Sequence, residues 1–134
     1  MQKLQTIQNM AARAIVGSKR LEHAPPILKN LNWITLKEKR KLHELVMFHK
    51  IYTEKGTPEQ TKMLGKYKRH QNINTRGAGT SHLFIPSFNT NYMKESFFIR
   101  NVRQWNDLPA NLRSIQNTST FKGRLFEHLF SATT

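Results

Sequence analysis

The carboxylates that could do chemistry in this chain are few and widely separated. Eight Asp and Glu residues stand against twenty-two Lys and Arg residues, and the one aspartate is Asp107. Two-metal phosphoryl transfer needs several carboxylates converging on the metal ions, and glycoside hydrolysis needs a facing pair. The glutamates are scattered, and no local spacing fits either arrangement. We therefore expect no catalytic residue and no enzymatic activity from the isolated chain.

Cysteine and histidine chemistry is equally restricted. The sequence contains no Cys, which excludes a disulfide scaffold, a thiolate zinc site and a thiol nucleophile. No two of the six His residues have the i, i+4 spacing that would place both on one helix face as metal ligands. Structural or solvent-exposed histidines are the better interpretation. We expect no metal and no cofactor.

Lysine and arginine are the side chains that recur. They give the chain a net charge of +14 at neutral pH and a pI near 10.6. Such an excess repels itself and disfavours compaction unless an anion offsets it. Nucleic-acid phosphate is the commonest such anion, and an anionic membrane is the second candidate. The expected partner is RNA or DNA, bound through phosphates, and not a membrane.

Three groups of basic residues are candidates for phosphate binding. The first group lies at the start of the long helix predicted below, and its alternative interpretation is a solvated helix end. Its like-charged pair, Lys37 and Lys41, is mildly unfavourable alone, which favours an anionic partner. In the stretch from Phe97 to Trp105, aromatic residues are interspersed with arginines. Nucleic-acid bases could stack on such rings, but more often this pattern is an amphipathic helix with its rings buried. The candidates are Lys37, Lys39, Arg40 and Lys41; Lys66, Lys68, Arg69 and Arg76; and Arg100 with Arg103.

The elements that must position these residues are mainly helical. An apolar stripe at helical spacing predicts a helix over 2–16 that Gly17 ends, and Pro26 suits the first turn of a brief second helix. The members of the apolar stripe in the first helix are Leu4, Ile7, Ala11, Ala14 and Ile15. Thr35 and Glu38 form a capping box that opens a long helix. That helix is predicted to run to about Lys55, where Gly56 ends it, with a basic, exposed first half and a buried second half.

The second half of the chain predicts shorter elements. Residues 58–64 are expected to form a short helix and 65–82 a flexible basic loop. Residues 83–85 read as a strand that could pair back through 92–93 as a hairpin, followed by helices from Ser96 to Pro109 and from about Thr118 onwards. We expect a mainly α fold with at most one short hairpin near 83–93. The segments 1–64 and 83–134 are expected to form one domain.

Several segments together resemble one family. Residues 4–15, LQTIQNMAARAI, resemble the LQ-x-IQN-x-AAR-x-I segment downstream of the polymerase domain in non-LTR (LINE-type, jockey-like) retrotransposon reverse transcriptases. The further matches are LNWI at 31–34, SF at 96–97, WNDLP at 105–109, LR at 112–113, TSTFK at 118–122 and HLF at 128–130. Met10, Thr35 and Gln104 depart from the usual pattern. The order and spacing match along nearly all of residues 1–130.

The resemblance implies the C-terminal portion of a reverse transcriptase, an RNA-directed DNA polymerase. The family's paired catalytic aspartates are absent from this sequence, as is its endonuclease. What the resemblance implies is a non-catalytic region that supports nucleic-acid binding. Two alternatives stay open: a structural module that packs on the parent's polymerase domain, which is then a second partner, and a free-standing basic RNA- or DNA-binding protein.

The sequence also bears on location. The longest uninterrupted apolar run is Leu45–Phe48, which is too short to span a bilayer. The segment that opens the chain, Met1–Thr6, lacks the apolar stretch of a signal peptide. We expect an intracellular protein of the nucleus or cytoplasm.

Overall fold

A computed structural model describes residues 2–68 and 83–132, and within those ranges the chain is helical. Eight helices occur there, and no strand is present in the same residues. They are α1 (Gln2–Val16), α2 (Ala24–Asn30), α3 (Leu36–Tyr52), α4 (Pro58–Lys68), α5 (Asn91–Lys94), α6 (Phe97–Asp107), α7 (Ala110–Arg113) and α8 (Thr118–Ala132). The prediction of a mainly α fold is confirmed.

The hairpin near residues 83–93 is not formed. The backbone N–H of Leu83 donates to the side-chain carbonyl of Asn106 at 2.8 Å, and the Asn106 amide donates back to the Leu83 carbonyl at 2.9 Å. This side chain satisfies both groups that a partner strand would otherwise pair. Residues 92–93 lie instead in α5, because the Thr90 hydroxyl caps that helix by accepting from the N–H of Met93 at 3.2 Å.

The chain divides into two compact units. One comprises Met1–Leu42 with Phe126–Thr134, and the other comprises His43–Leu125. The predicted change from helix to loop after residue 64 lies within the second unit. Residues 65–68 belong to α4 and not to a loop. The remainder of the expected basic loop, 69–82, lies outside the described residues.

The first unit packs α1 on α2 through a small apolar cluster. Ala12, Ile27 and Leu28 are buried, and Leu31 and Trp33 pack against them. The other inward contacts of α1 are polar. Two of its glutamines reach the start of α3, since Gln8 donates to the Ile34 carbonyl at 3.0 Å and Gln5 accepts from the N–H of Leu36 at 3.0 Å.

The predicted apolar stripe of α1 therefore faces solvent. Leu4 and Ile15 are exposed, and Ile7 keeps 61% of its surface accessible. Ala12, which lies off that stripe, is the one fully buried residue of the helix. Gln5 and Gln8 occupy the inward face because the carbonyl of Ile34 and the N–H of Leu36 need hydrogen-bond partners, which apolar side chains cannot supply.

Trp105 lies at the centre of the second unit and is fully buried. Rings from α3 surround it: its centroid is 4.7 Å from that of Tyr52 and 5.6 Å from that of Phe48. Phe121 of α8 lies 5.8 Å away. Centroid separations of about 4.5–7 Å in tilted geometry are those that aromatic pairs prefer. Trp105 is thus a core residue, as the amphipathic interpretation predicts, whereas Phe97 and Phe98 of the same helix are half-buried.

Three helices end with a residue in the left-handed region, namely Gly17, Asn32 and Glu54 at φ 70°, 56° and 64°. At the end of α3 the N–H of Lys55 donates to the carbonyl of Lys50 at 2.8 Å, and the N–H of Glu54 to that of Ile51 at 3.1 Å. This pair of bonds is the Schellman motif. It ends α3 at Tyr52, three residues before the predicted end.

Gly56 does not end α3; it is required by close packing between the end of α3 and the start of α4. A Cβ at this position would lie 2.9 Å from Oε1 of Gln60 and 3.1 Å from Cγ1 of Ile51. The absence of a side chain therefore allows the chain to pass closely over the end of α3 into α4. The backbone strain at this helix end falls on Glu54, where no glycine relieves it.

Replacing Glu54 by glycine is expected to stabilise the protein. A non-glycine residue in the left-handed region costs about 1–2 kcal/mol, and glycine loses about 0.5–1 kcal/mol of that gain through its greater freedom in the unfolded chain. We expect Glu54→Gly to raise the free energy of unfolding by about 0.5–1 kcal/mol, measured by urea denaturation followed by circular dichroism. Glu54→Ala removes the same charge without relieving the backbone and is the control. Equal stability of the two variants would contradict the assignment of strain.

Candidate nucleic-acid interface

The start of α3 is fixed by hydrogen bonds to Thr35. Its hydroxyl accepts from the N–H of Glu38 at 3.3 Å, and its carbonyl accepts from the N–H of Lys39 at 2.9 Å. The Thr35 cap predicted from the sequence is therefore present. Leu36 donates to Gln5 of α1, so the first turn is held on the first unit by side chains from two elements. Lys37 follows directly.

The four cations that follow this cap divide between two helix faces. Arg40 and Lys41 stand three and four residues after Lys37, so both lie on the side of the helix that carries Lys37. Lys39 lies on another face and lines a cavity of about 360 Å³ together with Trp33 and Phe126. Lys37, Lys39 and Arg40 are exposed, and Lys41 is half-buried. The structure thus brings three of the four predicted cations to one surface, which we call the α3 basic face (Lys37, Arg40 and Lys41).

The second predicted cluster is only partly described. Lys66 is exposed on α4. The ammonium of Lys68 lies 4.5 Å from the ring centroid of Tyr52 and 3.4 Å from the Tyr52 carbonyl oxygen, so it is engaged within the protein. Arg69 and Arg76 lie outside the described residues.

Arg100 is bound by a carboxylate of its own unit. Its Nη2 and Nε donate to the two carboxylate oxygens of Glu44 at 2.8 and 3.1 Å, and Nη1 donates to the Glu95 carbonyl at 2.7 Å. This bidentate geometry occupies all three nitrogens. Arg100 was a candidate for phosphate binding, and the structure instead gives it a role in joining α6 to α3. Arg103 is half-buried on α6.

The charge of the first unit is strongly positive. Its sequence carries nine Lys and Arg residues and three Glu residues, a net charge of +6. Within residues 2–68 and 83–132, no three His, Cys, Asp or Glu side chains are placed to hold a metal ion. No helix of those residues is long and apolar enough to cross a membrane.

A larger cavity in the same unit contains residues that the sequence did not single out. It measures about 520 Å³ and is lined by His23, Pro25, Pro26, Leu28, Lys29, Trp33, Thr35 and Phe130. We call it the Trp33 cavity. The signal available in the sequence was Trp33 itself, a large aromatic residue that follows Asn32 just after the second helix. Trp33 and Phe130 come from segments almost a hundred residues apart, so spacing along the chain could not show that both line one cavity.

The turn before Trp33 fixes the position of its ring. Asn32 occupies the left-handed position after α2, and its N–H donates to the Lys29 carbonyl at 3.0 Å. The N–H of Trp33 donates to the Leu28 carbonyl at 2.8 Å. In this motif the residue after the left-handed position packs back on the helix, and Trp33 does so against the buried cluster of Ala12, Ile27 and Leu28.

Comparison with known proteins gives no match: no protein-family model, no curated protein and no solved structure is significantly similar to the chain.

His49 is the buried titratable group of the second unit. Its Nε2 lies 2.7 Å from the carbonyl oxygen of Ile115 and its Nδ1 lies 3.2 Å from the hydroxyl of Thr118. Because a carbonyl only accepts, Nε2 carries the proton of the neutral ring and Nδ1 accepts from Thr118. Burial lowers the pKa of His49 below its ordinary value of 6.5, and the nearby charge of Lys55 adds to this effect. The hydrogen bond to Ile115 opposes it.

Stability is expected to fall in mild acid because of His49. Below pH 6.5 the unfolded chain binds a proton on this residue more readily than the folded chain does, so the free energy of unfolding decreases as the pH falls. We expect His49→Gln to weaken this dependence between about pH 7 and pH 5, although the variant is less stable at neutral pH. Denaturation at a series of pH values measures it.

The matched control is His43→Gln, which replaces an exposed histidine of the same helix. It is expected to keep the parent's pH dependence. If His43→Gln weakens the dependence as much as His49→Gln does, the assignment to His49 is wrong.

Proposed function

We propose that this chain is the non-catalytic C-terminal portion of a non-LTR retrotransposon reverse transcriptase, and that it supports binding of RNA or DNA. The ordered set of motifs between residues 4 and 130 supports the origin. The α3 basic face supports the activity. The catalytic aspartates of such an enzyme would belong to a polymerase domain elsewhere in the parent protein, since this sequence has one Asp. In this proposal the protein acts in the nucleus or cytoplasm.

The observation that carries the binding proposal is the position of Lys37 and Lys41. They stand one turn apart, where like charges repel, and they lie in the first two turns of a long helix, whose dipole is positive at this end. Cations in this position are unfavourable for the isolated helix. A phosphate bound between them relieves both repulsions.

The proposed mechanism is electrostatic binding of nucleic-acid phosphates without base-specific recognition. Lysine and arginine contacts to phosphate release condensed counterions, so affinity falls steeply with salt. Such contacts set the position of the protein on the strand and carry no sequence information. The chain would hold template RNA or target DNA while the chemistry occurs on another domain.

Removing two of the three charges of the α3 basic face is expected to weaken binding and its salt dependence. We expect Lys37→Gln with Lys41→Gln to flatten the log–log slope of affinity against salt by about one unit for each phosphate that the variant no longer binds. Gln is a good helix former, so helix content is expected to stay unchanged. Fluorescence anisotropy with a labelled oligonucleotide at several salt concentrations measures the slope, and circular dichroism measures the helix content.

The charge-matched control replaces Lys50 and Lys122, two exposed lysines of the second unit, by Gln. It removes the same net charge from another surface and is expected to keep the parent's slope. Equal reductions of affinity in the two double variants would mean that net charge alone sets the affinity, and the proposed interface would then be abandoned.

A second candidate function is supported by the exposed stripe of α1. Leu4, Ile7 and Ile15 lie on one side of this helix with about half or more of their surface accessible. The structural alternative, a module that packs on the polymerase domain of the parent protein, accounts for this feature because the covered stripe would then belong to a domain interface. The first candidate leaves the stripe unexplained.

Polar substitutions on this stripe are expected to reduce self-association without lowering stability. We expect Ile7→Ser with Ile15→Ser to decrease aggregation of the isolated chain, since both residues are exposed and contribute little to its core. Light scattering and thermal denaturation are the measurements. Leu21→Ser, which changes an almost fully exposed residue off the helix, is the control. A large drop in melting temperature for the double variant would show that the stripe is buried in solution and contradict the candidate.

A further inference from the structure

We propose that the Trp33 cavity binds an unpaired base of a single-stranded nucleic acid whose phosphates lie on the adjoining basic residues. The inference rests on the proposed function, because it names the form of nucleic acid that the first unit recognises. Four features support it: the aromatic lining, the fixed position of the rings, the charge at the cavity and its place next to α3.

The lining provides ring faces in a cavity of suitable size. Trp33 and Phe130 are both half-buried and both line it. Base-on-ring stacking tolerates any base, since every base has a π face. The volume of about 520 Å³ lies within the range of about 300–1,000 Å³ that ligand sites occupy, which is sufficient for a base together with part of its sugar.

The rings are held in place before any ligand arrives. The backbone turn at Asn32 and the apolar cluster under it fix Trp33. Phe130 lies nearly parallel to Phe126, with ring centroids 6.0 Å apart and an interplanar angle of 13°. A preformed stacking surface loses little conformational entropy on binding.

The charges at the cavity match a nucleic-acid strand. Lys29 and His23 line it and are exposed, and no acidic side chain is among the described residues that do. Lys29 can contact a phosphate, and the His23 imidazole can donate a hydrogen bond, since it makes no capping bond to α2.

Thr35 connects the cavity to the α3 basic face. Its side chain lines the cavity and also caps α3, and Lys37 is two residues further on. The cavity lining and the α3 basic face are thus close along the chain, and we place both contacts on one strand. Duplex bases are stacked on one another and cannot enter it, whereas an unpaired base can be splayed onto a ring.

The test compares two single strands of equal length and charge. One is a labelled oligothymidylate, and the other is its abasic counterpart with the same phosphates. Each is titrated into the full chain with anisotropy and intrinsic tryptophan fluorescence as readouts. We expect the oligothymidylate to bind about 5- to 150-fold more tightly, which corresponds to the stacking of one base. We also expect it alone to quench tryptophan emission.

Substitution of Trp33 assigns the signal. The chain has two tryptophans, and Trp105 is fully buried. We expect Trp33→Leu, which keeps an apolar group on the cluster beneath, to lose both the quenching and the preference over the abasic strand. The salt slope is expected to remain, since Lys37 and Lys41 are unchanged. Trp33→Phe keeps a ring and is expected to retain part of the preference.

The outcomes separate this inference from the proposed function. If neither strand binds at low salt, the proposed function fails. If the parent chain binds both strands equally without quenching, the base site is rejected while phosphate binding stands. This comparison uses the parent chain alone, so it remains decisive even if Trp33→Leu does not fold. Quenching that persists in a folded Trp33→Leu variant would also reject the site.

Discussion

The burial of Trp105 is the interaction on which the second unit depends. This one indole from α6 contacts rings of α3 and of α8, and it is fully enclosed. The chain has a modest apolar fraction of 37% and a net charge of +14. Since charge repulsion opposes compaction, the apolar residues must bury as much area as they can. Aromatic side chains bury about 150–250 Å² each, so a cluster of a few rings can supply a core that smaller residues could not.

The same core sets the state of the polar groups around it. His49 is stacked on Phe121 with ring centroids 4.2 Å apart, and its two nitrogens are satisfied by Ile115 and Thr118. Burial of this kind favours the neutral form of the ring and lowers the pKa of His49. Arg100, which is half-buried, is held by Glu44 in bidentate geometry. His49, and Arg100 from among the candidate phosphate ligands, therefore help to hold the second unit together.

The first unit is built differently, and its surface is where we place the function. Its apolar cluster is small, and hydrogen bonds from Gln5 and Gln8 complete the packing of α1. This arrangement leaves three surfaces available: the α3 basic face, the Trp33 cavity and the apolar stripe of α1. Thr35 lines the cavity and also caps α3, the helix that carries the α3 basic face. Phosphate binding and base stacking can thus act on the same strand, while the stripe would serve a contact with protein.

The sequence by itself determined the helices and their local ends, because capping and periodicity are set by residues within one or two turns. The Thr35 cap, the stop at Gly17 and the mainly α class follow from such local patterns. Tertiary structure decided which side of each helix faces inward. Gln5 and Gln8 displaced the apolar stripe of α1 because distant backbone groups needed partners, and Asn106 took the place of a strand beside Leu83. The Trp33 cavity also joins residues far apart in the chain. Partners of this kind are chosen by proximity in the folded protein, which no local pattern contains.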